Sequence, residues 1–226
     1  MKEKTGIVFS IAADNQPVAG CTISKEVWSD GQDYMSYFSL AEGTDISAEI
    51  YSYHKLIILA EGNLTVYTDK TPWQLSEGEC IFTPMDIPVG MNTVTKAIYT
   101  EISIRRDTMN SIIKSGEVFE LAELLPYQEG KIINMDIAHN EKMKFVIMSF
   151  DEGTGLTEHA APGEALIFAL DGSAVIGYEG QEHRIRAGEN FKFAAGGKHW
   201  VKAASSESAL KSFIRLVSRV ISSSST

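Results

Sequence analysis

Short apolar runs, broken every few residues by glycine, proline, aspartate or asparagine, recur along the whole chain. In the first half the runs fall at residues 34–40, 56–59, 63–68, 79–83 and 97–104. In the second half they fall at 144–150, 165–170, 174–178, 189–193 and 212–217. They are rich in β-branched and aromatic residues and too short for typical helices, so they predict strands. Many short strands at even spacing predict a closed barrel or a double-sheet jelly roll. One stretch departs from the pattern. Met109, Ile112, Ile113, Phe119, Leu121, Leu124 and Leu125 carry helical spacing, interrupted by Gly116 and stopped by Pro126, which predicts one or two short helices. The serine run at 222–226 is expected to fray.

The pattern repeats. Gly6, Gly20, Gly43, Gly62 and Gly78 each have a counterpart 110 residues later, at Gly116, Gly130, Gly153, Gly172 and Gly188. The flanking residues follow: LIILAEG ends at Gly62 and LIFALDG at Gly172. A constant spacing with no insertion from Gly6 to Gly188 predicts an internal duplication. Two all-β domains are therefore expected, over 1–110 and 111–226, joined by the short helical connector.

Composition narrows the function classes. The chain has 226 residues, 30 acidic against 20 basic, and a formal net charge of −10. An acidic chain without a basic cluster argues against nucleic acid and anionic membrane as partners. No apolar run reaches a membrane span, and no apolar segment follows Met1-Lys2-Glu3-Lys4, so no signal peptide is expected. Two cysteines, Cys21 and Cys80, are too few for a disulfide framework and are expected as small buried hydrophobes in a cytoplasmic protein.

Candidate chemistry concentrates in the second half. The stretch GTGLTEHAAPGEALIFALDG places His159 and Glu164 on either side of a Pro162–Gly163 turn, and GENFKFAAGGKH adds His199 beyond a Gly196–Gly197 turn. Two histidines and one carboxylate on short strands form the donor set of a mononuclear metal site with open positions. Glu164 opens an apolar strand, where an unpaired carboxylate is costly, so it needs a metal, a cation or a histidine as partner. Trp200, Tyr178, Phe168 and Phe193 are the aromatic candidates for lining a substrate pocket. His183 is expected to face solvent, and His54 to sit on the surface or to pair with Glu49. No phosphate loop, Ser–His–Asp arrangement or CxxC pair is found.

These residues resemble the cupin superfamily, whose first motif is written G-x5-H-x-H-x3-4-E-x6-G and second G-x5-P-x-G-x2-H-x3-N. Gly153, His159, Glu164 and Gly172 are laid on the first motif, and Gly188, Gly196 and His199 on the second. The second motif histidine is Ala161, the proline Ala194 and the final asparagine Ala203. The resemblance covers both halves and implies a bicupin, two tandem double-stranded β-helix barrels. It implies a divalent metal (Fe, Zn, Ni or Mn) on His159, Glu164 and His199. In the first half the positions read Glu49, Tyr51, His54 and Val89, with no metal set.

Two functions follow as expectations. One is a metal-dependent bicupin acting on a small oxygenated metabolite as dioxygenase, isomerase or hydrolase. The other is a non-catalytic cupin that binds a small molecule as a sensor or structural protein. The expected partner is a small-molecule ligand, and the expected state a monomer or homodimer.

Overall fold

The computed structural model describes residues 1–105 and 109–204, together with the backbone of 212–218. The tail expected to fray lies outside the described residues. The chain opens with β1 (Val8–Phe9) and a one-turn helix, α1 (Ile11–Asp14), capped by the Ser10 hydroxyl, which accepts from Ala13 N at 3.2 Å. Then follow β2 (Thr22–Ser29), β3 (Tyr34–Leu40), β4 (Asp45–Ile50), β5 (His54–Tyr67) and β6 (Pro72–Ser76). Next come β7 (Glu79–Phe82), β8 (Pro88–Asn92), β9 (Ala97–Ile104) and β10 (Val118–Glu120), then a 3-10 turn at Leu121–Leu124.

The second series is β11 (Ile132–His139), β12 (Met143–Phe150), β13 (Gly155–Ala160), β14 (Glu164–Asp171) and β15 (Ser173–Tyr178). It ends with β16 (Gln181–Arg186), β17 (Asn190–Phe193), β18 (Lys198–Ala203) and β19 (Ser212–Ser218). The fold is all-β, as the strand pattern predicts. Among the described residues no helix is long and apolar enough to cross a membrane.

The chain folds as two compact units. Unit 1 holds Met1–Lys2 and Ser10–Leu121; unit 2 holds Glu3–Phe9 and the chain from Ala122 onward. They divide after Leu121 rather than between residues 110 and 111, because β10 adds to β7 (Val118 opposite Ile81). In the same way β1 adds to β17 in unit 2 (Val8 opposite Phe191). Of the one or two short helices expected over 109–125, the structure shows one, the 3-10 helix at Leu121–Leu124, while 118–120 form β10 instead. Gly116, at φ +75°, donates its N–H to Phe82 O at 2.8 Å and lays the following residues along the β7 edge. Main-chain pairing at a sheet edge outweighs the weak helical preference of so short a segment.

In unit 2, a sheet ordered β1-β17-β14-β19-β12-β11 and a sheet ordered β13-β18-β15-β16 share one core. Ala165, Ile167, Phe191 and Phe193 enter it from the first sheet, and Ala174, Ile176, Ile185, Val201 and Ala203 from the second. Side chains alternate along a strand, so even-numbered residues of β14 and β17 face the other way. In unit 1 the strands form one nine-stranded sheet, because β5 runs on without a break, pairing β7 and β9 along its first part and β6 and β8 along its second. Gly62, at φ +90°, permits this: its neighbour Asn63 donates to Lys96 O at 3.0 Å, and a Cβ at residue 62 would overlap that carbonyl oxygen. Ile57, Leu59, Val89, Met91 and Tyr99 are in its core.

The structure makes three small corrections. His183 packs its ring 5.0 Å from that of Phe191, on the face it shares with the buried Ile185, and not toward solvent. His54 is buried with Nδ1 2.6 Å from Thr83 O, and Glu49 is bonded to Tyr51 instead. Cys80 is buried, and burial pushes its thiol pKa up, whereas Cys21 is exposed.

Candidate functional site

His159 on β13 and His199 on β18 are directly opposite each other in an antiparallel pair, with ring centroids 4.3 Å apart. A bulge between Leu156 and His159 sets this register. His199, Val201 and Ala203 are the buried face of β18, so both imidazoles stand on the interior side of the barrel wall. His159 Nδ1 lies 2.9 Å from Thr157 O, and His199 Nδ1 lies 2.8 Å from Gly197 O. A carbonyl only accepts, so Nδ1 carries the proton in both rings, and in the neutral form each Nε2 is the acceptor atom. Two local turns, through the carbonyls two residues upstream, thereby fix both tautomers.

Glu164 does not join them. It is the first residue of β14, on the face opposite the core-facing Ala165 and Ile167. Its Oε1 is 2.7 Å from Lys192 Nζ, and the Lys192 side chain is 5% exposed. Burial raises the Glu164 pKa while the hydrogen bond from Lys192 lowers it, and the carboxyl ends below the usual range. The cation partner is thus the one of its three expected options that the fold supplies. Among the described residues no three His, Cys, Asp or Glu side chains are grouped to hold a metal.

The four aromatic candidates divide in two. Phe193 stacks on His199 with centroids 4.0 Å apart, and Tyr178 is the cross-strand neighbour of His199. Tyr178 also packs 5.5 Å from Phe193, so these two flank His199. Phe168 shares the Glu164 face of β14, away from the core. Trp200 points outward, one residue past the inward His199, and lies over Gly177. Strand alternation separates each excluded residue from its included neighbour.

The comparisons with known proteins agree with this architecture. Residues 146–213 match the cupin domain family. The fold is a cupin barrel. A cupin 2 conserved barrel domain protein from Leptotrichia buccalis superposes with a TM-score of 0.82 at 22% identity, covering 96% of this chain and 99% of that one. Oxalate decarboxylase from Lactobacillus farciminis gives 0.55 at 12% identity, covering 97% and 88%. Salicylate 1,2-dioxygenase from Pseudoaminobacter salicylatoxidans gives 0.57 at 10%, covering 86% and 73%. No curated protein matches the sequence.

Strict counting along the cupin first motif explains the position of Glu164. After Gly153, five residues lead to His159, one to Ala161, three more to Ala165, and six to Gly172. The carboxylate position is Ala165, so Glu164 is one residue short, and with a period of two a one-residue slip reverses the face. The interior of unit 2 therefore offers His159, Ala161, Ala165 and His199 at the four motif positions.

The same count in unit 1 gives Glu49, Tyr51 and Lys55 between Gly43 and Gly62, and this uncovers residues that the sequence reading missed. Lys55 is on the core-facing side of β5 with Ile57 and Leu59. Its Nζ is 3.3 Å from Glu101 Oε1 and 3.8 Å from the centre of the Tyr51 ring. Tyr34 donates its hydroxyl to Glu101 at 2.6 Å, and Tyr51 donates to Glu49. Burial, then the Glu101 charge, raises the Tyr34 pKa. Unit 1 thus keeps a buried lysine–glutamate pair under tyrosines where unit 2 keeps two histidines. His54, the residue first matched with Glu164, has the same one-residue offset and faces out of the core.

Proposed function

We propose that the chain is a bicupin that binds a small oxygenated molecule, with the His159–His199 pair as its polar contact in unit 2. The duplication is supported by three β-bulges that recur at the 110-residue spacing. They lie at Glu26/Trp28 and Asp136/Ala138, at Ile46/Glu49 and Leu156/His159, and at Leu59/Glu61 and Ala169/Asp171. Bulges are designed features of a sheet, and three coincidences in register are what a copied framework predicts. The β1–β17 and β10–β7 pairings carry the same offset.

The observation that carries the binding function is the placement of two tautomer-fixed imidazoles on the interior face, with Phe193 stacked on His199 and Tyr178 opposite it. Their Nε2 atoms accept hydrogen bonds from hydroxyl groups, and the aromatic rings supply apolar surface, which is the usual make-up of a small-molecule site. The neighbours named for oxalate, formate, salicylate and gentisate are consistent with a small oxygenated acid as ligand.

A divalent metal would be held here by His159 and His199 alone. Ala161 and Ala165 offer no donor, and Glu164 is across the strand and bound to Lys192. The three-residue set expected from the sequence does not fit, so no reaction step is derived through a metal. A second reading is favoured by one feature: backbone carbonyls fix Nδ1 of both rings, the support that metal-bound imidazoles receive. In that reading the two histidines share a metal with a chelating ligand.

The test combines elemental mass spectrometry with calorimetric titration of oxalate and gentisate. Native protein, H159A/H199A and E164Q are compared before and after chelation. Binding that survives chelation and is lost in H159A/H199A supports the metal-free site. Near-stoichiometric metal, lost in H159A/H199A but kept in E164Q, with binding lost on chelation, supports the two-histidine metal. Binding of both acids unchanged in H159A/H199A, or absent from native protein, overturns the His159–His199 site.

A further inference from the structure

Unit 2 has a concave site remote from the histidine pair. A cavity of about 680 Å³ is lined by Ser173 and Val175 of β15, Arg184 and Arg186 of β16, Lys202 of β18 and the adjoining Ala204, among others. Ala174, Ile176, Ile185, Val201 and Ala203 face the core. The residues between them, Ser173, Val175, Arg184, Arg186 and Lys202, therefore project outward. Val175 is opposite Arg184 on one side and Lys202 on the other, while Ser173 is opposite Arg186. At about 4.8 Å per strand, Arg184 and Lys202 are about 10 Å apart across Val175, and Arg186 is two residues along from Arg184.

Three cations on one small surface repel one another. The chain has ample means to relieve this, with 30 acidic residues against 20 basic. Yet among the described residues no acidic side chain lines the cavity. None of the three cationic side chains forms an ion pair or hydrogen bond among the described residues. Glu189, in the turn after β16, uses its carboxylate to accept from the Arg186 backbone N–H at 2.8 Å. Glu182 is on the same face, but two residues beyond Arg184 and outside the cavity. A charge cluster with no acidic partner among the described residues, around a cavity of small-molecule size, is complemented by an anion supplied from outside. Two guanidinium forks and an ammonium suit paired oxyanion groups, which they bind by charge-assisted hydrogen bonds.

We propose that this cavity is an anion site for a small molecule bearing at least two phosphate or carboxylate groups. It is independent of the proposed histidine site. Lys202 and His199 are three residues apart on β18, about 10 Å along the strand, and face opposite sides.

The experiment titrates inorganic pyrophosphate and citrate separately into the full-length protein at low ionic strength. Native protein, R184Q/R186Q, K202Q and H159A/H199A are compared. The exposed positions of the three cations keep the variants folded, and their melting curves check this. The expected result is saturable binding weakened at least tenfold in R184Q/R186Q and in K202Q, falling as salt rises, and unchanged in H159A/H199A. Tighter pyrophosphate binding identifies a phosphate-bearing ligand, and tighter citrate binding a polycarboxylate. Absence of saturable binding for both anions, or equal binding in the native and arginine-substituted proteins, overturns the proposal.

Discussion

Glu164 and Lys192 form an ion pair at 2.7 Å on the face of β14 and β17 turned away from the barrel core. The pair explains how a carboxylate can open an apolar strand without a metal. Lys192 is enclosed between Phe191 and Phe193 in sequence, both of which point into the core, so its own side chain is directed to the opposite face.

Replacing Glu164 by glutamine removes the negative charge that faces Lys192 and leaves the shape intact. The expected loss of stability is about 1–3 kcal/mol, read from urea unfolding at neutral pH. Because the folded carboxyl titrates below its ordinary value, the unfolded chain takes up that proton first as pH falls. The contribution of Glu164 is therefore full above the usual carboxylate range and disappears as pH drops through the lower folded value. The difference between native and E164Q proteins should shrink across that acidic window. An equal difference at both ends of the window would remove Glu164 from the acid response.

The Lys55–Glu101 pair in unit 1 is more deeply enclosed, with side chains 9% and 2% exposed. Breaking a buried pair on one side is costly because the remaining charge is left without its partner, by about 3–5 kcal/mol. K55M alone and E101Q alone should each lose stability in that range. The double variant K55M/E101Q should lose much less than the two losses together, since it leaves no isolated charge. A double-mutant cycle by chemical denaturation measures the coupling. Additive losses would show that the two side chains are held separately, Glu101 by Tyr34 and Lys55 by the Tyr51 ring.

What could be read from the sequence follows from what carries a local signal. Glycines at turns and buried apolar runs are local, and the strands built on them, such as β3 at Tyr34–Leu40 and β9 at Ala97–Ile104, match the expected ranges. Strands whose side chains are largely exposed, such as β2 and β4, have no such run and were not anticipated. The site depends on register, a long-range property. His159 and His199 come together because each sits at its motif position on paired strands. Glu164 was misplaced because a carboxylate one residue away from its position looks the same in sequence and points the opposite way in a strand. Lys55 and Glu101 were missed because nothing local links residues on β5 and β9 that meet only when the barrel closes.

Trp200 and Gly177 give the last prediction. They are cross-strand partners on β18 and β15, and the indole lies where a side chain at 177 would be. A Cβ added to Gly177 would overlap Trp200 Cε2 and Nε1, atoms in the body of the ring rather than at the end of a flexible chain. G177A must therefore displace the indole or bend β15, a cost of about 1–3 kcal/mol by analogy with overpacked cores. The expected readout is lower thermal stability together with a shift in tryptophan fluorescence as Trp200 moves toward water. Shortening the partner separates the steric cause from a general weakening of β15: W200A should recover much of the stability that G177A loses. If G177A is as damaging in the W200A background as alone, the glycine is required by the strand itself and not by the ring above it.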